Sequence, residues 1–410
     1  MNTRIIKQTI STISLLIGVA SADIPGLFVV QQANIADPVL LTNRNPTKGI
    51  SEFGGSDIRS IGDFNLDGVD DIITGARKSF QDSGSIILVS LNSDGSAKST
   101  AVYSASDNAI SGFLDPNFIF EKFGDGIAAL TRFSPSQNCA DIIISSAVVK
   151  KLYGATLCRE SGANPKLTIQ SVIDSASSAL NGLPFTTSQI ASTMTVVDTI
   201  SATGEFIVAL GASNASWASQ NGTKSNAGAV VLLAVKPGAS WSWRRLSVLP
   251  SSLDNSLDPL YGEVNAGSYF GTSITSLRGA NGAKRLAVLS SGENFNGKAG
   301  GRVHLFDLNS AYQIGSRSVL PGTNNLSITG AASSLSSTDF NHDGISDIVI
   351  GYCLAPDTGY NTQVGGYAIA ALDQNWQAID SKFFRIPTNG IATAPEFLSS
   401  SKIGYKILSV

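Results

Sequence analysis

The chain has 410 residues, 14% of them charged and 42% hydrophobic, with a net charge of −3. That balance leaves no surplus of Lys and Arg to neutralise phosphates, which argues against nucleic acid as a partner. Two His residues leave little material for a zinc centre or for imidazole acid–base chemistry, and three Cys allow at most one disulfide.

Taken in chain order, Arg4 and Lys7 precede an apolar stretch from Ile10 to Val19, which ends in Ala20-Ser21-Ala22. A basic start, an apolar middle and a small-residue end read as a signal peptide over residues 1–22. The apolar part is too short to cross a bilayer, which takes roughly 20 residues. No later segment reads as a membrane span, so the mature chain from Asp23 is expected outside the cytoplasm: secreted, at the cell surface, or periplasmic if the source is bacterial.

Residues 23–52 hold two apolar runs, around Phe28 and Leu40, that look like outer strands without an opening. From Phe53 a unit then recurs five times. It opens on an aromatic-Gly pair, at Phe53-Gly54, Phe123-Gly124 and Phe270-Gly271, with weaker forms around Phe185 and at Ile328-Thr329-Gly330. A first β-branched run follows, at Asp71–Ala76, Asp141–Ala147, Glu205–Ala212, Arg285–Gly292 and Asp347–Tyr352. After a Gly-rich link comes a second, at Gly84–Leu91, Gly154–Cys158, Gly228–Val235, Gly301–Leu308 and Gly366–Leu372.

Short Val- and Ile-rich runs bounded by Gly, Asn, Asp and Ser read as strands. Units of about 70 residues have room for four strands each, and runs apolar throughout are those of sheets covered on both faces. The fold expected is an all-β propeller of four-stranded blades spanning 23–410. Five whole units lie between about 53 and 402, and residues 23–52 with 403–410 would make a sixth, split blade; a seventh is expected if the chain is a fragment. Cys139 and Cys158 flank one predicted hairpin and are the expected disulfide pair.

Between the first two strands of the first and fifth units stand two matching loops. One runs Asp63-Phe64-Asn65-Leu66-Asp67-Gly68-Val69-Asp70-Asp71, the other Asp339-Phe340-Asn341-His342-Asp343-Gly344-Ile345-Ser346-Asp347. Side-chain oxygens occupy positions one, three, five and nine, Gly at six permits a sharp turn, and the carbonyls of Val69 and Ile345 at seven can add a ligand. Calcium wants six to eight such oxygens, so two calcium sites are expected, the alternative being two Asp/Asn-rich turns satisfied by local backbone hydrogen bonds. An EF-hand is excluded, because Thr74 and Ile350 replace its Glu at position twelve. The middle units have lost the pattern: Phe133, Pro135 and Gln137 stand in the second, the third keeps Asp198 and Glu205 at poorer spacing, and Lys284 and Arg285 end the fourth.

A Phe-Gly opening, a loop of this kind and a strand running into Gly75-Ala76 or Gly211-Ala212 resemble the FG-GAP repeat of integrin alpha-subunit propellers and their bacterial relatives. The resemblance implies calcium held by Asp63, Asn65, Asp67, Val69 and Asp71, and by Asp339, Asn341, Asp343, Ile345 and Asp347. It further implies adhesion, with recognition of an extracellular protein or glycan on the opposite face. Loops emerging there carry Trp217, Phe295 and Tyr360 as candidate ligand contacts, each of which also reads as a plug between blades. Trp241 and Trp243 alternate along an outer strand with one exposed face. FG-GAP-like propellers also occur in certain secreted phospholipases and polysaccharide lyases, so part of a secreted hydrolase or lyase is the alternative reading. No Gly-x-Ser-x-Gly elbow is present to supply a serine nucleophile. A structural component of a surface assembly is the third.

Overall fold

The computed structural model describes residues 14–17, 31–34, 57–104 except 94, 121–160, 165–295 except 253, 255–259, 261–263 and 281, then 298–299, 301–320, 332–352 and 366–385. A two-stranded sheet pairs β1 (Ser14–Ile17) with β2 (Gln31–Asn34). Blade one is β3 (Ile58–Gly62), β4 (Asp71–Gly75), β5 (Ser85–Leu91) and β6 (Ala97–Ser104), with a one-turn helix α1 (Ser79–Asp82) between β4 and β5. Blade two is β7 (Ile127–Ala129), β8 (Cys139–Ser146), β9 (Lys151–Cys158) and β10 (Lys166–Ile173). Blade three is β11 (Met194–Ile200), β12 (Glu205–Gly211), β13 (Val230–Lys236) and β14 (Ser242–Leu249). Blade four is β15 (Phe270–Arg278), β16 (Lys284–Ser290), β19 (Arg302–Leu308) and β20 (Ile314–Val319), interrupted by a small hairpin of β17 (Asn294–Phe295) and β18 (Lys298–Ala299). Blade five is β21 (Ala332–Thr338), β22 (Asp347–Tyr352), β23 (Gly366–Leu372) and β24 (Ala378–Arg385).

Each blade is an antiparallel meander whose strands lie side by side in chain order, and the first strands of successive blades neighbour one another. The β-branched runs of the sequence are the second and third strands. β4, β5 and β22 are buried along their whole length, as sheets packed on both faces require. Outer strands such as β6 and β14 are partly exposed.

Five four-stranded sheets are found among the described residues, where six were expected. Most of the anticipated split blade, including 403–410, lies outside those residues. Its described part, Gln31–Asn34, pairs with Ser14–Ile17 inside the candidate signal peptide, and the rest of residues 1–22 lies outside the described residues.

The Phe-Gly openings lock one blade to the next. Phe123 pairs with Gly84 and Phe270 with Gly228, in each case the Gly preceding the third strand of the blade before. Gly84 and Gly228 have φ of +86° and +93°, and a Cβ would lie 2.2 and 2.1 Å from the Phe123 and Phe270 carbonyl oxygens. Only Gly tolerates both the left-handed backbone and the close approach. The two Phe rings, fully buried, pack edge-on against Tyr153 at 5.4 Å and His304 at 5.6 Å. Phe53-Gly54 and Ile328–Gly330 lie outside the described residues.

Cys139 and Cys158 stand opposite each other in the β8–β9 ladder and are joined by a disulfide. β14 is the expected outer strand with one exposed face, Ser242 and Arg244 standing on that face and Trp241 and Trp243 on the covered one. Trp241, 9% exposed, covers Gly154 of blade two, and Trp243 Nε1 donates to Ser171 Oγ of β10 at 3.1 Å.

Candidate metal loops and their neighbours

The loop from β3 to β4 and the loop from β21 to β22 repeat the same backbone-to-side-chain bonds around their turns. Position four is left-handed in both, Leu66 with φ 62° and His342 with φ 57°, as is the Gly at position six. The first carboxylate gathers the turn: Asp63 Oδ1 accepts Asp67 N at 3.1 Å and Oδ2 accepts Gly68 N at 2.9 Å, matched by Asp339 with Asp343 N at 3.1 Å and Gly344 N at 2.9 Å. Asn65 Oδ1 and Asn341 Oδ1 share the same amides at 3.0 and 3.1 Å. Val69 N and Ile345 N close the turn on Asp67 Oδ1 and Asp343 Oδ1 at 3.0 and 2.8 Å.

Position nine has a second task. Asp71 Oδ2 accepts Phe64 N at 2.8 Å and Asn65 N at 3.3 Å, while Oδ1 accepts Leu91 N at 2.8 Å. Asp347 takes Phe340 N and Leu372 N at 2.9 and 3.0 Å. Both carboxylates are fully buried. Burial pushes the Asp71 carboxyl up to about 6 against the pull of its backbone partners, and burial raises Asp347 too. Asp71 and Asp347 thus pin each loop to its blade.

Among the described residues no three Asp, Glu, His or Cys side chains converge closely enough to form a metal centre by themselves. A metal held at either loop would need amide and carbonyl oxygens beside the carboxylates. Each carboxylate oxygen that takes one N–H keeps another lone pair, and an all-oxygen set of Asp, Asn, Asp and a carbonyl, backed by a buried carboxylate, suits a hard cation.

In the other units, protein cations stand at the corresponding loops. The Arg159 guanidinium donates to Ser134 O at 3.1 Å, Gln137 O at 3.2 Å and Asn138 Oδ1 at 3.3 Å, and also to Asp63 O and Phe64 O of the neighbouring loop. It lies 4.9 Å from the Phe133 ring. Lys284 pairs with Asp198 of blade three, which also accepts Tyr312 OH at 2.7 Å. Burial would raise the Asp198 carboxyl, but these two partners hold it below its ordinary value. Burial, then the bond to Asp198, pushes the Tyr312 hydroxyl up to about 12. Arg285 grips Asp307 and lies 5.2 Å from the Trp376 ring. Spacing within the loops gives no sign of Arg159, just past β9, or of Tyr312, in the turn between β19 and β20.

On the opposite face, Trp217 is 2% exposed, packs on Phe185 at 5.2 Å and donates Nε1–H to Gly228 O at 3.0 Å. It offers no free face to a ligand. Phe295 lies in β17, its backbone paired with Lys298, and Tyr360 lies outside the described residues. Buried acids sit at this end of the blades. Asp57, just before β3, pairs with Arg59 at 2.8 Å and accepts Ile127 N of blade two at 3.1 Å. Asp125, just before β7, pairs with Arg77 at 3.3 Å. Glu121 holds Tyr153 OH and Lys151, and Glu293 lies 3.1 Å from His304 Nε2.

These repeated sheets define a β-propeller. No protein-family profile matches the chain, and no curated protein matches it. Solved structures with similar folds include a thermostable family-43 glycoside hydrolase, 14% identical, covering 62% of this chain and 70% of that one with a TM-score of 0.36. An arabinanase of Bacillus subtilis is 12% identical over 63% of this chain and 79% of its own, TM-score 0.34. The Cellvibrio cellulosa α-L-arabinanase complexed with arabinohexaose is 12% identical over 82% and 95%, TM-score 0.35. Likeness at this level carries neither activity nor substrate to this chain. Among the described residues no helix is long and apolar enough to cross a membrane.

Proposed function

We propose that the chain is an exported propeller of the FG-GAP kind, in which calcium at the 63–71 and 339–347 loops stiffens one face while the other recognises an extracellular protein or glycan. The observation that carries the metal is the donor-for-donor match of two loops in separate blades, each folding Asp, Asn and Asp oxygens around one turn. Chance Asx turns would not repeat the left-handed residues at positions four and six as well. Asp67→Ala with Asp343→Ala is the test. Wild type should melt higher in calcium than in chelator, and the double variant should melt alike in both. A wild-type melting temperature indifferent to calcium would end the metal reading. An array of glycans and matrix proteins, probed with and without calcium, tests recognition.

A second reading, the propeller of a polysaccharide-cleaving enzyme, is favoured by the buried acids Asp57 and Asp125 at the openings of neighbouring first strands, since glycoside hydrolysis uses a pair of carboxylates. Reducing sugar released from a polysaccharide panel that includes arabinan, and lost in Asp125→Asn, would support it; no release by folded wild type would remove it.

A further inference from the structure

Resting on the calcium reading, we propose that the two loops are unequal: Lys98 is a built-in counter-cation of the 63–71 loop, so 339–347 is the tight calcium site and 63–71 the weak one. Lys98 Nζ lies 2.8 Å from Asp67 Oδ2. Its ammonium is stabilised by that hydrogen bond foremost, and also by the charges of Asp71 and Asp63. Lys98 thus feels three of the loop's four carboxylates, Asp63, Asp67 and Asp71. In the fifth unit the matching oxygen, Asp343 Oδ2, accepts only the neutral Asn341 Nδ2 at 3.0 Å. Among the described residues no Lys, Arg or His pairs with Asp339 or Asp343.

The difference lies at one register position. β5 and β6 slip by one residue between the pairs Leu91↔Ala97 and Ser90↔Ser99, which leaves Lys98 in the bulge. β23 and β24 slip at the same place, between Leu372↔Ala378 and Ala371↔Asp380, and the residue in that bulge is Ile379. Ile379 is 61% exposed. The matching bulge of the fourth strand therefore holds an ammonium in one blade and a hydrocarbon in the other. Calcium entering 63–71 must displace Lys98 or bind beside it, whereas among the described residues no basic side chain pairs with Asp339 or Asp343 of the 339–347 loop. For exposed charges about 5 Å apart in water, the repulsion between an ammonium and a divalent ion corresponds to about a tenfold loss of affinity.

Exchange of the two residues tests this. Calcium titration of the full chain by calorimetry should show one tight and one weak site; Asp343→Ala should remove the tight site and Asp67→Ala the weak one. Lys98→Ile should tighten the weak site about tenfold, and Ile379→Lys should weaken the tight site by a like factor. Ile379→Lys alters an exposed side chain, so it keeps the test alive if Lys98→Ile does not fold. Two equal sites in wild type, or affinities unmoved by either exchange, would overturn the inequality and leave calcium binding standing. No calcium binding by any folded form would remove the calcium reading itself.

Discussion

Sealed beside Phe270 and Phe306, the His304 ring is fully buried and accepts Arg317 Nε at Nδ1, 3.2 Å away. Its proton therefore sits on Nε2, which donates to Glu293 Oε1. Burial holds the imidazole below its ordinary value of 6.5, and the positive charges of Arg317 and Arg302 act in the same direction against the pull of Glu293. A depressed folded value means that the unfolded chain takes up the proton first. The stability His304 contributes is complete above about pH 6.5 and is lost as pH falls below it. The urea midpoint of wild type should drop between pH 7.5 and pH 5, and that of His304→Gln, which keeps a donor but does not titrate, should drop less. Equal losses in both would refute the assignment. Single residues were legible in the sequence where their bonds are local, as in the turn that Asp63, Asn65 and Asp67 close on nearby backbone amides. For Trp217 the plug reading held and the ligand-contact reading did not, and the Phe185 loop that covers it is distant in sequence.

The recurring Phe-Gly pair is a joint between strands of different blades. At Gly228 a methyl group would meet the Phe270 carbonyl at 2.1 Å, whereas at Gly182, also left-handed with φ +64°, nothing lies within 4 Å. Alanine at either position should cost about 1–2 kcal/mol for the left-handed backbone. At Gly228 the clash with main chain comes in addition, so Gly228→Ala should lose more than about 3 kcal/mol in urea denaturation. Similar losses at the two glycines would mean the joint is not a blade lock. Second and third strands could be read directly from β-branched runs because both their faces are covered. Fourth strands, apart from the one marked by Trp241 and Trp243, could not, because they are half-exposed and slip in register, and the slip that sets Lys98 against Ile379 leaves no mark in a linear pattern.

Among the described residues, blades one and two, and blades three and four, are joined at both ends by different means: Phe-Gly joints at one face, and cations at the face of the 63–71 and 339–347 loops. Arg132 reaches Asp70 of blade one, Lys284 reaches Asp198 of blade three, and Arg285 lies over Trp376 of blade five. Arg159 goes furthest, its guanidinium bonded to oxygens of the 133–138 stretch and to the carbonyls of Asp63 and Phe64. Its own position is fixed by the disulfide at Cys158 and by Arg159 N donating to Asn138 O at 2.9 Å. A guanidinium has five donors in a fixed fork, so removing it frees both loops at once. Hydrogen exchange of Arg159→Ala should therefore quicken at the amides of 63–71 and 133–138 together, with 339–347 unchanged. Faster exchange confined to 133–138 would mean that Arg159 merely closes its own turn and that blade one holds its 63–71 loop unaided.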